Sequence, residues 1–261
     1  MLVIFVLKFI KTRYNILLVE NLKEKLNKVD QLKRKLDGLR PLNPDVENGL
    51  KNWVHNAIIA NSTREKIYDS IRKNYYDSED RKLLEKSHEE ALNYINELTT
   101  KKINELNKID ILNIHFILLK KVHPDFAGKY RDSNATSWVS LGNKEQDKVC
   151  HYSLIQDKMD NYFSWLFSKN NEHPLIIVAE AHNKFVDIHP FVDGNGRTAR
   201  LIMNLILMQN GFLPIFIRTL KKEEKYNNPI KLWRKGTKND FYFLIANLEE
   251  ESLKMYLEKI T

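Results

Sequence analysis

His189-Pro190-Phe191-Val192-Asp193-Gly194-Asn195-Gly196-Arg197-Thr198-Ala199-Arg200 is the stretch that decides this chain. It gathers a base, a carboxylate, a Gly-Asn-Gly turn and two arginines between two strongly helical segments. Gly194 and Gly196 allow positive φ, so successive backbone N–H groups can converge on one anion. The helix that follows adds its positive N-terminal end at the same point. Arg197 and Arg200 are neighbours on its first turn and suit bidentate contact with phosphate oxygens. Asp193 is a hard oxygen ligand of the kind Mg²⁺ takes when it bridges phosphates. His189 titrates near neutrality in the open and can accept a proton from a hydroxyl. Taken singly, a His before Pro is usually structural, a Gly-Asn-Gly turn only a turn, and an Arg pair a solvated face. Their contiguity points to phosphoryl chemistry.

Outward from this stretch the pattern is helical. Apolar spacing predicts helices over His173–His189 and Gly196–Asn210, with Gly211 at the C-terminal cap. Further helices are expected over 14–39, 45–59, 64–75, 78–99, 109–122, 152–167, 223–234 and 240–260. The start, MLVIFVLKFIKTRYNILLV, reads as a packed helix: Lys8, Lys11 and Arg13 interrupt it before the roughly 18–20 apolar residues of a membrane span. Ala127-Gly128-Lys129-Tyr130-Arg131 through Gly142 shows no helical period and is expected to form a small hairpin or extended flap. With 8 Gly and 7 Pro in 261 residues, a many-turned β fold is disfavoured and the chain is expected to be mostly α.

The net charge of +8 is spread along the chain, so no nucleic-acid partner is expected. A single cysteine, Cys150, excludes an internal disulfide and suits a cytoplasmic setting. The apolar start leaves targeting open.

HPFVDGNGRTAR resembles the active-site motif of the Fic (Fido) adenylyltransferase family, HPFx(D/E)GN(G/K)RxxR, at every specified position. The flanking AHNKFVDI and LIMNLILMQNGF are similar to that family's helices. The closest likeness is to the eukaryotic endoplasmic-reticulum Fic enzyme and to bacterial relatives with an N-terminal inhibitory helix. The resemblance implies a Fic-type helical bundle with a β-hairpin flap and an N-terminal helical extension. It divides the chain into an N-terminal helical region, 1–62, and a catalytic core, 63–261. It implies a protein adenylyltransferase that moves AMP from ATP to a Ser, Thr or Tyr hydroxyl with Mg²⁺. His189 would be the general base and Asp193 the metal ligand. Gly194, Asn195 and Gly196 would form the anion-binding turn, Arg197 and Arg200 the clamps on the outer phosphates, and Tyr226 part of the adenine wall. A protein substrate would dock along the flap near Gly128–Ser140, and a homodimer is compatible with the resemblance.

The sequence departs from the family pattern at two places. Trp233 and Arg234 stand near positions where similar proteins carry a small residue and Asn. The family's inhibitory motif, (S/T)xxxE(G/N), aligns with His55-Asn56-Ala57-Ile58-Ile59-Ala60-Asn61, where Ile59 replaces the glutamate that pairs with the second motif arginine. The resemblance therefore implies an enzyme without the usual brake. Alternatives are a Fic enzyme with another donor (UMP, phosphocholine or phosphate transfer) and a catalytically idle binding module.

Overall fold

The structure, a computed structural model, describes residues 2–45, 78–133, 138–140, 146–148, 150–168, 171–217 and 223–260. The helices expected over 45–59 and 64–75, and the inhibitory stretch with Ile59, lie outside the described residues.

Helix dominates. α1 spans Leu2–Asp37, α2 Ser78–Leu98, α3 Lys108–Leu119, α4 Ile155–Ser168, α5 Pro174–Ile188, α6 Asn195–Gln209, α7 Asn228–Arg234 and α8 Asn239–Ile260. The termini follow local chemistry. Asn107 caps α3 by accepting the N–H groups of Ile109 and Asp110, at 2.8 and 3.1 Å, while Asp110 accepts the Asn107 N–H at 3.0 Å. His173 caps α5, with Pro174 in the first turn where no N–H is needed. Gly211, at φ 74°, lets the chain leave α6. The single helix expected over 223–234 is a wide i→i+5 turn, Glu223–Asn227, followed by α7. Pro229 lacks the N–H that an uninterrupted α-helix requires there.

The helices α5 and α6 pack along one another, α3 pairs with α2 and α6, and α1 lies along α8. Phe185, Phe191 and Phe241 are fully buried at the centre. α1 is fastened by charge as well as by Val29 and Leu36: Glu250 accepts from Lys25, from Lys28 at 3.0 Å and from Lys254 at 2.5 Å. His173 Nε2 lies 3.2 Å from the Asp30 carboxylate, so the cap of α5 rests on α1. No helix among the described residues is long and apolar enough to cross a membrane.

The expected fold class needs correction at the flap. Among the described residues of the expected flap, 128–133 make no strand. Sheet structure among the described residues is reduced to a three-residue antiparallel pair, Trp138–Ser140 against Gln146–Lys148, at the far end of that segment. The physical reason lies in the backbone. The Gly128 N–H donates to His115 Nδ1, the Lys129 N–H to the Phe126 carbonyl and the Arg131 N–H to the Pro190 carbonyl. Those groups are committed to neighbouring loops and helices and are not available to a strand ladder.

The chain leaving α6 is held by two buried side chains. Asn204 Oδ1 accepts the Ile215 N–H, and Glu249 Oε1 accepts the Leu213 N–H, each at 3.0 Å. Burial pushes the Glu249 carboxyl up to about 8, against the opposing pull of the Leu213 N–H and of Lys33. A carboxyl whose folded pKa exceeds its unfolded value binds more protons in the folded state. Its stabilising contribution is therefore full below the unfolded value and is lost as pH rises towards about 8. Glu249→Gln keeps the acceptor for Leu213 without the charge. It is expected to raise the melting temperature by roughly 2–4 °C at pH 8 and by less at pH 5, as measured by thermal melts across pH.

Candidate active site

The site is built where α5 ends and α6 begins. Pro190 prevents His189 from continuing α5, and His189 takes a left-handed conformation, φ 52° and ψ 60°, as the C-terminal cap. A non-glycine residue there costs about 1–2 kcal/mol, so the surroundings must hold it. Arg131 does so. Its Nε donates to the His189 carbonyl at 2.8 Å and its Nη2 to the Cys150 carbonyl at 2.5 Å, while its backbone N–H donates to the Pro190 carbonyl at 2.9 Å. The Cys150 thiol donates to the Ile188 carbonyl at 3.1 Å. Two carbonyls at the end of α5 are thus satisfied from outside the helix, that of Ile188 by the Cys150 thiol and that of His189 by a cation at the helix's negative end.

The loop itself closes on Asn195. Its Oδ1 accepts the Phe191 N–H at 2.9 Å and its Nδ2 donates to the Phe191 carbonyl at 2.8 Å, so the side chain points inward. Gly194 at φ 79° then turns the chain into α6. A Cβ on Gly194 would stand 3.2 Å from both the His115 ring and Leu119, leaving no room for a side chain. A Cβ on Gly196 would touch Arg200 Nη1 at 3.4 Å, which places the Arg200 guanidinium over the turn. Arg197 Nη2 pairs with the Asp193 carboxylate at 3.0 Å, the two side chains being 11% and 16% exposed.

Four of the expected residues, Gly194, Gly196, Arg197 and Arg200, therefore converge with Asp193 on the N-terminal end of α6, with His189 across the loop. Asn195 is placed in the loop's interior, where its side chain clamps the backbone. Tyr226 is placed in the core at 4% exposure, its hydroxyl oxygen 2.7 Å from His182 Nε2 and its ring near Phe241. Arg234, read from sequence as a departure at the base-recognition wall, donates its Nε to Asp187 at 2.8 Å on the last turn of α5.

Burial pushes the His189 imidazole down to about 4, assisted by the charges of Arg131 and Arg234 and opposed by the Val186 carbonyl and Asp193. Its Nδ1 is buried without a well-formed hydrogen bond. The His182 imidazole, buried between Tyr226 and Phe241, is pushed down to about 3 by desolvation and by Arg200. Both rings are neutral at physiological pH.

The donor set fits a magnesium–nucleotide pair. No group of three or more His, Cys, Asp or Glu side chains able to hold a metal occurs among the described residues. Asp193 as the single carboxylate beside a glycine-lined helix N-terminus matches the way Mg²⁺ is held, by one or two carboxylates plus phosphates and water. Sequence reasoning missed two residues. His115 carries the underside of the loop, and its signal was a lone imidazole in the apolar run of α3, ILNIHFILL. Arg131 was quoted as the start of the flap, but its bonds to His189 and Cys150 span too much sequence to be visible there.

Residues 105–207 match the Fic/DOC family model. Over 154 residues the chain is 36% identical to the protein adenylyltransferase Fic of Nematostella vectensis, covering 58% of this chain and 34% of that protein. The Drosophila melanogaster protein of the same name is 36% identical over 150 residues, 57% of this chain and 29% of its own. The chain thus matches about a third of the length of these curated relatives. Fic-1 of C. elegans superposes with a TM-score of 0.75 at 24% identity, covering 95% of this chain and 75% of that chain. A Fic-domain signaling protein of Bacteroides thetaiotaomicron superposes at 0.77 with 20% identity, covering 89% and 96%. These two likenesses bear on the fold alone. Through residues 105–207 the chain is thus similar in sequence to the Fic/DOC family. The two superpositions show a Fic-type helical fold.

The His189 ring is expected to stay neutral from pH 8 down to pH 5.5, with its midpoint near 4. An NMR titration of ring signals, assigned with His189→Ala, checks this; a midpoint near the ordinary 6.5 would contradict the burial described.

Proposed function

We propose that the chain is a protein adenylyltransferase that moves AMP from ATP onto a Ser, Thr or Tyr hydroxyl of a target protein. The observation that carries this reading is the arrangement at the α5–α6 junction. A neutral, left-handed His189 faces a helix N-terminus lined by Gly194 and Gly196 and flanked by Arg197 and Arg200. In this scheme His189 Nε2 takes the proton from the target hydroxyl as its oxygen bonds to the α-phosphorus. The bond to the leaving pyrophosphate breaks in the same displacement. The N–H groups at the start of α6 and the two guanidinium groups receive the charge that gathers on the phosphates. Asp193 would hold Mg²⁺, exchanging its pairing with Arg197 for the metal. Mg²⁺ held there would supply charge neutralisation for the nucleotide phosphates. The site supplies no nucleophile of its own, so positioning and electrostatics account for the rate.

The target is proposed to approach along the segment near Gly128–Ser140, which begins one hydrogen bond away from Pro190. Mass detection of an AMP adduct on the protein itself, after incubation with ATP and Mg²⁺, tests the reading. An adduct of one AMP is expected for the wild type, with His189→Ala reducing it by roughly 10²-fold or more. No adduct and no ATP-dependent rise in melting temperature would leave a binding module instead. An adduct from UTP or phosphate transfer from ATP would change the donor.

The aliphatic Ile59 cannot form an ion pair with Arg200, so the enzyme is proposed to run without glutamate inhibition. Ile59→Glu is expected to lower self-modification by about tenfold, equivalent to ~1.4 kcal/mol of ATP misplacement. Equal rates in the two proteins would remove this part of the proposal.

A further inference from the structure

On the reading that this site binds magnesium and ATP, we propose that His115 is a positioning residue that fixes the backbone under Asp193. It does so by tying the Asp193 carbonyl to the Gly128 turn through one imidazole held in one tautomer.

Both ring nitrogens are engaged, in opposite senses. The Gly128 N–H donates to Nδ1 at 2.9 Å, so Nδ1 carries no proton. Nε2 therefore bears it and donates to the Asp193 carbonyl, also at 2.9 Å. The ring cannot turn out of this position. It lies flat on Phe191, with centroids 3.6 Å apart and planes inclined by 6°. The other side of the contact is the turn itself, where a Cβ on Gly194 would come within 3.2 Å of the ring's Cδ2 and Nε2. Gly128 is equally constrained: at φ 71°, a Cβ there would come within 3.0 Å of Phe116 Cβ. His115 is itself fully buried.

A core ring with only a packing role would be replaceable by phenylalanine, which stacks on Phe191 equally well. That change would strand a buried N–H and a buried carbonyl. The carbonyl belongs to Asp193, whose carboxylate faces Arg197 one helical turn away. A shift of this peptide moves the carboxylate and the first N–H groups of α6 together.

The two bonds can be separated. A glutamine at 115 can place an amide N–H at the Nε2 position, keeping the tie to Asp193. An asparagine can place its carbonyl at the Nδ1 position, keeping the tie to Gly128 alone. The experiment compares His115→Gln and His115→Asn with the wild type by three measurements. These are melting temperature, calorimetric binding of an ATP analogue with an uncleavable α–β link, with and without Mg²⁺, and rate of self-modification. His115→Asn is expected to weaken the Mg²⁺-dependent part of binding and the rate by about tenfold, with His115→Gln within about threefold of wild type. Asparagine behaving as wild type, or both variants losing function in step with melting temperature, would overturn the proposal. If the wild type neither binds ATP nor modifies itself, the functional reading fails, and amide NMR decides the tie. The Gly194 and Gly196 signals should then move in His115→Asn and hold in His115→Gln; identical spectra sink the inference.

Discussion

The structure depends on one tight reversal of the backbone, from the left-handed cap at His189 to the positive φ of Gly194. Between these points four residues must carry the chain from the end of one helix to the start of the next without leaving a buried peptide group unpaired. The solution is distributed. Arg131 and Cys150 supply donors to the end of α5, Asn195 answers the peptide groups of Phe191, and His115 supports the peptide of Asp193. Phe191, fully buried between the His115 and Phe185 rings, anchors the loop to the core. His189, Asp193, Arg197 and Arg200 are half-buried in this framework.

The two helices on either side are held in turn by the rest of the bundle. α5 and α6 pack lengthwise, and α1 carries Asp30 to the cap of α5. The electrostatic character of the site follows from the same packing. His189 and His182 are kept neutral because desolvation outweighs every nearby carboxylate, and the neighbouring charges are predominantly arginines. A buried imidazole among guanidinium groups stays neutral and keeps a lone pair able to accept a proton.

Much of this was legible in the sequence, and the limits are physical. The helices α2, α3, α5, α6 and α8 follow from apolar periodicity, and Gly211 marks the end of α6. The motif residues were readable because glycine, carboxylate, imidazole and arginine lie contiguously and their spacing carries geometry. The flap was misjudged because an absence of helical period does not imply strand. Residues 128–133 are fixed by hydrogen bonds to His115, Phe126 and Pro190, and such pairing leaves no alternation in the sequence. Tyr226, which the resemblance set at the adenine wall, has its hydroxyl against His182, a pairing across 44 residues that no local pattern signals. Asn195 illustrates a subtler limit: its type was read as a phosphate neighbour, and its side chain is placed where it organises the loop.

That inward-facing asparagine changes how variants of this chain should be interpreted. Consider a version that keeps His189, Asp193, Arg197 and Arg200 and loses Asn195. It would have every ionisable group in place and still leave two buried peptide groups of Phe191 without partners, at about 1–3 kcal/mol each. Its charged residues would look competent in any inventory of side chains, while the surface they should line could not assemble. Competence here is a property of the loop's shape before it is a property of its chemistry, and a neutral amide that meets no solvent is the residue that reports it.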